Sequence, residues 1–183
     1  YNGEMSPAIT VTVTSGMQGL PEDPQPDKFD GFKQRVLAVQ GTSLGCVYCP
    51  LMIAGLTEYA KLEESKSTVL VSAHAIMSGD DMISDYSTAV AKGMGFNITG
   101  IPALLFNMRS SSEILGLSTA DSPSSVAKRV QSAAQTLLQG GANTGICAAV
   151  SGTEASGSIK VTAAVKVGKA GKYRICAWVL EDD

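Results

Sequence analysis

The spacing of apolar residues along the chain changes character several times. Ala8 to Thr14 alternates apolar residues with threonines, which predicts a strand with one wet face. Pro21, Pro24 and Pro26, mixed with Glu22, Asp23 and Asp27, can continue neither sheet nor helix and predict a stiff linker. Val36-Leu37-Ala38-Val39 is an apolar run suited to a buried strand, followed by the loop Gly41-Thr42-Ser43-Leu44-Gly45. From Pro50 the spacing turns helical, with Met52, Leu56, Tyr59 and Ala60 on one face. Val69 to Ala73 predicts the next strand. Asp80 or Asp81 can cap a helix carrying Ile83, Tyr86, Val90 and Met94. Ile101 to Phe106 and Glu113 to Leu117 predict two more strands. Ser122-Pro123 opens a last helix, striped by Val126, Val130, Ala133/Ala134 and Leu137/Leu138 and stopped by Gly140-Gly141.

Beyond residue 144 the period becomes two. Ile146–Val150, Ser158–Val167 and Lys172–Leu180 predict a β-meander. Three strands bury too little to stand alone, so residues 8–14 are expected to join them. The organisation is then an N-terminal strand and Pro-rich linker (1–30), a core unit (31–141) and a β annex (142–183). The fold class is α/β, a mixed sheet flanked by helices, with a small antiparallel β annex.

Composition narrows the function classes. A hydrophobic fraction of 44% with 17% charged residues suits a globular protein, and a net charge of -3 offers nothing to nucleic acid. No apolar run reaches the roughly 20 residues of a membrane-spanning helix. The start at Tyr1 reads as a processed or engineered end, so the lack of a signal segment does not argue for the cytosol, and the acidic Glu181-Asp182-Asp183 leads us to expect that the natural chain continues.

The four cysteines are too few for a disulfide-built scaffold. Cys46 and Cys49 stand at CxxC spacing where a buried strand gives way to a helix. There the unpaired N–H groups and the positive helix end favour thiolate over thiol, so Cys46 is expected to attack and the more buried Cys49 to resolve. An inert disulfide or a metal half-site would use the same pair. Zinc wants a second pair at similar spacing, which the chain lacks, and Pro50 stands where c-type haem attachment needs His. No metal and no dissociable cofactor is expected. Cys147 and Cys176, on the first and third meander strands, are candidates for a structural disulfide. His74, the only histidine, reads as a packed or edge residue, and Met77, Met82, Met94 and Met108 as core filling. Lys160, Lys166, Lys169, Lys172 and Arg174 read as a solvated face.

Cys46-Val47-Tyr48-Cys49 ahead of a helix, and Gly100-Ile101-Pro102 ahead of a later strand, resemble the thioredoxin superfamily over residues 32–139. The resemblance implies a cis Ile101-Pro102 bond beside the dithiol, with Tyr48, Ile101 and Pro102 meeting an extended substrate. Gly41-Thr42, Cys-x-Tyr-Cys-Pro and Trp178-Val179-Leu180-Glu181-Asp182 resemble, more narrowly, outer-membrane-associated thioredoxin-like proteins of Gram-negative anaerobes. Those carry a C-terminal immunoglobulin-like β region. This implies an exported protein of the periplasm or outer membrane, with the option of a lipid anchor upstream. Three departures stand out: Gly45 replaces the Trp before the first Cys, Gln40 the buried acid, and Val47-Tyr48 the Gly-Pro of thioredoxin. The expected function is thiol–disulfide exchange on protein or peptide disulfides. The alternative is a non-catalytic surface binding or assembly protein that retains the fold.

Overall fold

The computed structural model describes residues 33–74, 77, 79–94, 100–108, 115–140, 144–153, 158–168, 170, 172, 176–178 and 180. The expected strand over 8–14 and the Pro-rich linker lie outside the described residues. The chain divides into two compact units, with the boundary between Ala142 and Asn143.

The unit Lys33–Ala142 alternates strands and helices: β1 (Val36–Thr42), α1 (Cys49–Ala60), β2 (Thr68–His74), α2 (Asp85–Gly93), β3 (Ala103–Phe106), β4 (Leu115–Gly116) and α3 (Pro123–Leu138). The sheet order is β2-β1-β3-β4. β1 and β2 run parallel, Val36 opposite Thr68 through Thr42 opposite His74. β3 turns back against β1, with Ala103 opposite Gly41 and Phe106 opposite Ala38, and β4 pairs antiparallel with β3. This is the mixed sheet that the element order implied.

The period of two in β1 decides which helix covers which face. Val36 and Ala38 enter a core with Met52, Leu56 and Tyr59 of α1, Leu104 and Phe106 of β3, and Val126, Val130 and Ala134 of α3. Val39 enters the opposite core with Ala73, Ala103, Leu105, and Ala91 and Met94 at the end of α2. A strand covered on both faces calls for apolar side chains on both, which Val36, Ala38 and Val39 supply, with the polar Gln40 and Thr42 falling at its C-terminal end. Tyr59, fully buried, satisfies its hydroxyl on Thr68 Oγ1 at 2.8 Å. α1 and α3 approach closely because Gly55 has no side chain to meet Val126. α3 begins with a capping box of Ser122 and Ser125 and has Pro123 in its first turn, as the Ser-Pro pair implied.

Several expectations are corrected. Gly41 and Thr42 belong to β1, because both find partners on β2. The cap of α2 is Ser84, not Asp80 or Asp81. Tyr86 and Ala60 face solvent, and among the four methionines only Met94 fills a core, while Met77, Met82 and Met108 are exposed.

In the second unit, β5 (Thr144–Thr153) and β6 (Ser158–Val167) form an antiparallel pair, registered from Thr144 opposite Val167 to Thr153 opposite Ser158. Of the third expected strand, the described residues (172, 176–178 and 180) are not in strand conformation. No helix among the described residues is long and apolar enough to cross a membrane.

Candidate functional site

The parallel strands β1 and β2 end at the same edge of the sheet, and from the end of β1 the chain passes through residues 43–48 into α1. β3 starts at that edge too, since Ala103 pairs with Gly41. The Ile101–Pro102 bond leading into it is cis, and Gly100 just before it has φ +79°, a conformation that glycine adopts without a Cβ penalty. The CxxC segment and Ile101-Pro102 thus emerge together, and Ile101 and Pro102 are both partly exposed.

Cys46 and Cys49 form a disulfide, with Cα atoms 5.4 Å apart. Cys49 is the first residue of α1 and only 1% exposed, whereas Cys46 is partly exposed. Cys46 does not itself begin the helix. An α-helical bond to its carbonyl would have to come from residue 50, and Pro50 has no N–H to give. The Cys46 carbonyl instead accepts from Cys49 N–H at 3.3 Å, in a tight turn that places the helix start at Cys49. That same N–H lies 3.1 Å from Cys46 Sγ. No acidic side chain stands in the first turn of α1 to oppose a negative sulfur there.

The rim is apolar. Val47 is 84% exposed and Tyr48 65%, with Leu44 exposed beside them in the sequence. Gly45, where thioredoxin carries Trp, is exposed, and the terminal methyl of Met77 would lie 3.2 Å from a Cβ placed there. Gln40 sits below in β1, 1% exposed, and its side-chain nitrogen has no hydrogen-bond partner.

The residue that sequence reasoning missed is Asp80. Its side chain is 1% exposed, and its Oδ2 accepts from Leu44 N–H at 2.9 Å, fixing the loop just ahead of Cys46. Oδ1 accepts from Met82 N–H at 3.0 Å, and Oδ2 lies 2.9 Å from His74 Nδ1. Burial pushes the Asp80 carboxyl up. The His74 ring and the Leu44 and Met82 amides outweigh that and hold it at about 2. An ionised carboxylate only accepts, so Nδ1 of His74 carries the proton in this contact. His74 is therefore tied to the loop ahead of Cys46 through Asp80, which its reading as a packed or edge residue omitted. The signal was weak, because two of the three donors to Asp80 are backbone amides, which any sequence supplies.

Cys176 is an exposed free cysteine, so the expected Cys147–Cys176 bridge is not formed. Residues 176–178 lack the strand pairing that would have carried Cys176 beside its partner, and nothing of the Cys147 side chain falls within the described residues. Among the described residues there is no group of three or more His, Cys, Asp or Glu side chains placed to hold a metal ion.

No family model matches the chain, and no curated protein does. Among solved structures, HBP35 of Porphyromonas gingivalis is similar, with 16% identity and a TM-score of 0.46. The alignment covers 66% of this chain and 38% of that one, so the chain spans well under half the length of that protein. A likeness at that level says nothing about activity. The unit Lys33–Ala142 is a mixed α/β sheet flanked by helices with a CxxC disulfide at the head of its first helix, an arrangement that fits the thioredoxin-like fold its residues resemble.

Proposed function

We propose that this protein is an exported thiol–disulfide oxidoreductase acting on protein or peptide disulfides. The observation that carries the reading is the asymmetry of the Cys46–Cys49 pair: one sulfur residue partly exposed with an N–H directed at it, the other sealed beneath. In the dithiol form, Cys46 thiolate attacks a substrate disulfide and expels one substrate thiolate, giving a mixed disulfide. Cys49, as thiolate, then attacks Cys46 Sγ, closing the internal disulfide and releasing the second substrate thiol. The protein loses two electrons and two protons and the substrate gains them; the reverse sequence oxidises a substrate dithiol.

Tyr48, Ile101 and Pro102 would meet the substrate, with the Ile101 backbone pairing to an extended chain. Support for export comes from the resemblance of Gly41-Thr42, the Cys-x-Tyr-Cys-Pro segment and residues 178–182 to outer-membrane-associated proteins. A lipid anchor upstream of Tyr1 belongs to the same proposal.

A second reading, a surface binding or assembly protein in which the disulfide is a staple, is favoured by Gln40. A buried amide cannot take the proton that an acid there would accept from Cys49. Insulin reduction by dithiothreitol separates the two. We expect the protein to accelerate it and Cys46→Ser to abolish that acceleration. An equal rate with and without the protein would favour the staple.

A further inference from the structure

Two features of the sheet edge near the CxxC segment have no part in the exchange steps above: the buried carboxylate of Asp80 and the ring of His74. His74 pairs in register with Thr42, so it lies at the end of β2 beside the end of β1, where the redox loop begins. Asp80 reaches the loop itself, holding Leu44 N–H at 2.9 Å while its other oxygen takes Met82 N–H. Cys46 N–H in turn donates to Ser43 O at 3.1 Å, so the anchored amide and the reactive cysteine belong to one tight turn.

We infer that Asp80 and His74 are positioning residues that set the thiol–disulfide equilibrium of Cys46 and Cys49. The Asp80 charge, fixed behind the loop, opposes a thiolate on Cys46, and the His74 ring offsets that charge through its Nδ1 contact at 2.9 Å. A negative charge near the pair disfavours the thiolate of the reduced form and leaves the neutral disulfide unaffected. At an effective dielectric of about 20, a charge moves an equilibrium by about tenfold from a separation of about 12 Å and by about threefold from about 25 Å.

The two substitutions therefore have opposite signs. Asp80→Asn keeps a carbonyl oxygen for Leu44 N–H but removes the charge, so it shifts the pair toward dithiol. His74→Leu leaves Asp80 anchored to the loop but unshielded, so it shifts the pair toward disulfide. General loosening of the loop would not produce a pair of opposed shifts.

The inference deepens the exchange reading and rests on it for its purpose, yet its readout exists whether or not the protein turns substrates over. Full-length protein is equilibrated with reduced and oxidised glutathione at one pH. There two GSH and the disulfide exchange with GSSG and the dithiol, and the fraction reduced at Cys46/Cys49 is read by alkylation and peptide mass. We expect the equilibrium constant to rise about threefold to tenfold in Asp80→Asn and to fall in His74→Leu. Unchanged constants in both folded variants, or shifts of the same sign, overturn the inference. If Asp80→Asn does not fold, His74→Leu decides alone: a fall supports the inference and an unchanged constant overturns it. Loss of the insulin assay in the wild type, with these opposed shifts intact, would defeat the exchange reading and leave this one standing.

Discussion

The backbone N–H of Cys49 is directed at the sulfur of Cys46 from 3.1 Å. The same amide serves the Cys46 carbonyl, so the turn that creates the CxxC geometry also supplies a donor to the exposed sulfur. A hydrogen bond to the charged form favours it. In reduced protein with Cys49, Cys147 and Cys176 replaced by serine, we expect Cys46 to be alkylated with an apparent pKa below the roughly 8.5 of a free thiol. The rate of iodoacetamide labelling against pH measures it, and a midpoint at or above 8.5 would remove the donor's role.

Gly55 sits where α1 meets α3, and a Cβ there lands on the Val126 side chain. In a helix interior Gly→Ala ordinarily stabilises by about 1 kcal/mol. Here overpacking, typically about 1–3 kcal/mol, acts against that gain. Gly55→Ala is expected to lower the melting temperature, and adding Val126→Ala to restore part of the loss. A rise in melting temperature for the single variant would show that the helices can separate at no cost.

Asn107 closes the far end of the β1–β3 pairing with both its backbone and its side chain. Its N–H donates to Leu37 O at 2.7 Å, and its Oδ1 accepts from Leu37 N–H at 3.0 Å. Asn also tolerates its left-handed φ of 52° better than most residues. Asn107→Ala should cost about 1–3 kcal/mol in urea unfolding, because a half-buried amide loses its acceptor. A loss within experimental error would mean that water replaces the side chain.

Two carboxylates give the protein a shared acid sensitivity. Asp80 is held at about 2 against an ordinary 3.8, its burial outweighed by His74 and two backbone amides. Asp121 is also held at about 2, by Ser118 N–H and the Ser125 hydroxyl, with Arg129 adding its charge. Both values are depressed in the folded state. Their contribution is therefore present in full above the unfolded value near 3.8 and is lost as pH falls through about 2. Urea midpoints should fall between pH 4 and pH 2, with a shallower fall in Asp80→Asn and in Asp121→Asn. Equal slopes in all three proteins would contradict the assignment.

Much of the core unit was legible because its signals are local. The apolar run at Val36 and the helical stripe from Val126 to Leu138 each announce a buried element. Ser122-Pro123 marks a helix start, and Cys46 to Cys49 marks a strand-to-helix chemistry. What stayed hidden depends on partners that carry no residue signature. Asp80 looked like a helix cap because Asp commonly is one, but Ser84 lies closer to the start of α2 and leaves the carboxylate for Leu44, far upstream in sequence. The exposed methionines stayed hidden because hydrophobicity does not say where the chain turns outward: Met77, Met82 and Met108 all face solvent.

The claim on which the account turns is that the Cys46–Cys49 disulfide is exchangeable. Its midpoint potential, read by mass after equilibration against glutathione and dithiothreitol couples, tests this most directly. We expect reduction above about -300 mV, within reach of a cellular thiol couple. A pair that remains oxidised at potentials well below that value would be a structural staple, and the proposed exchange activity would be wrong.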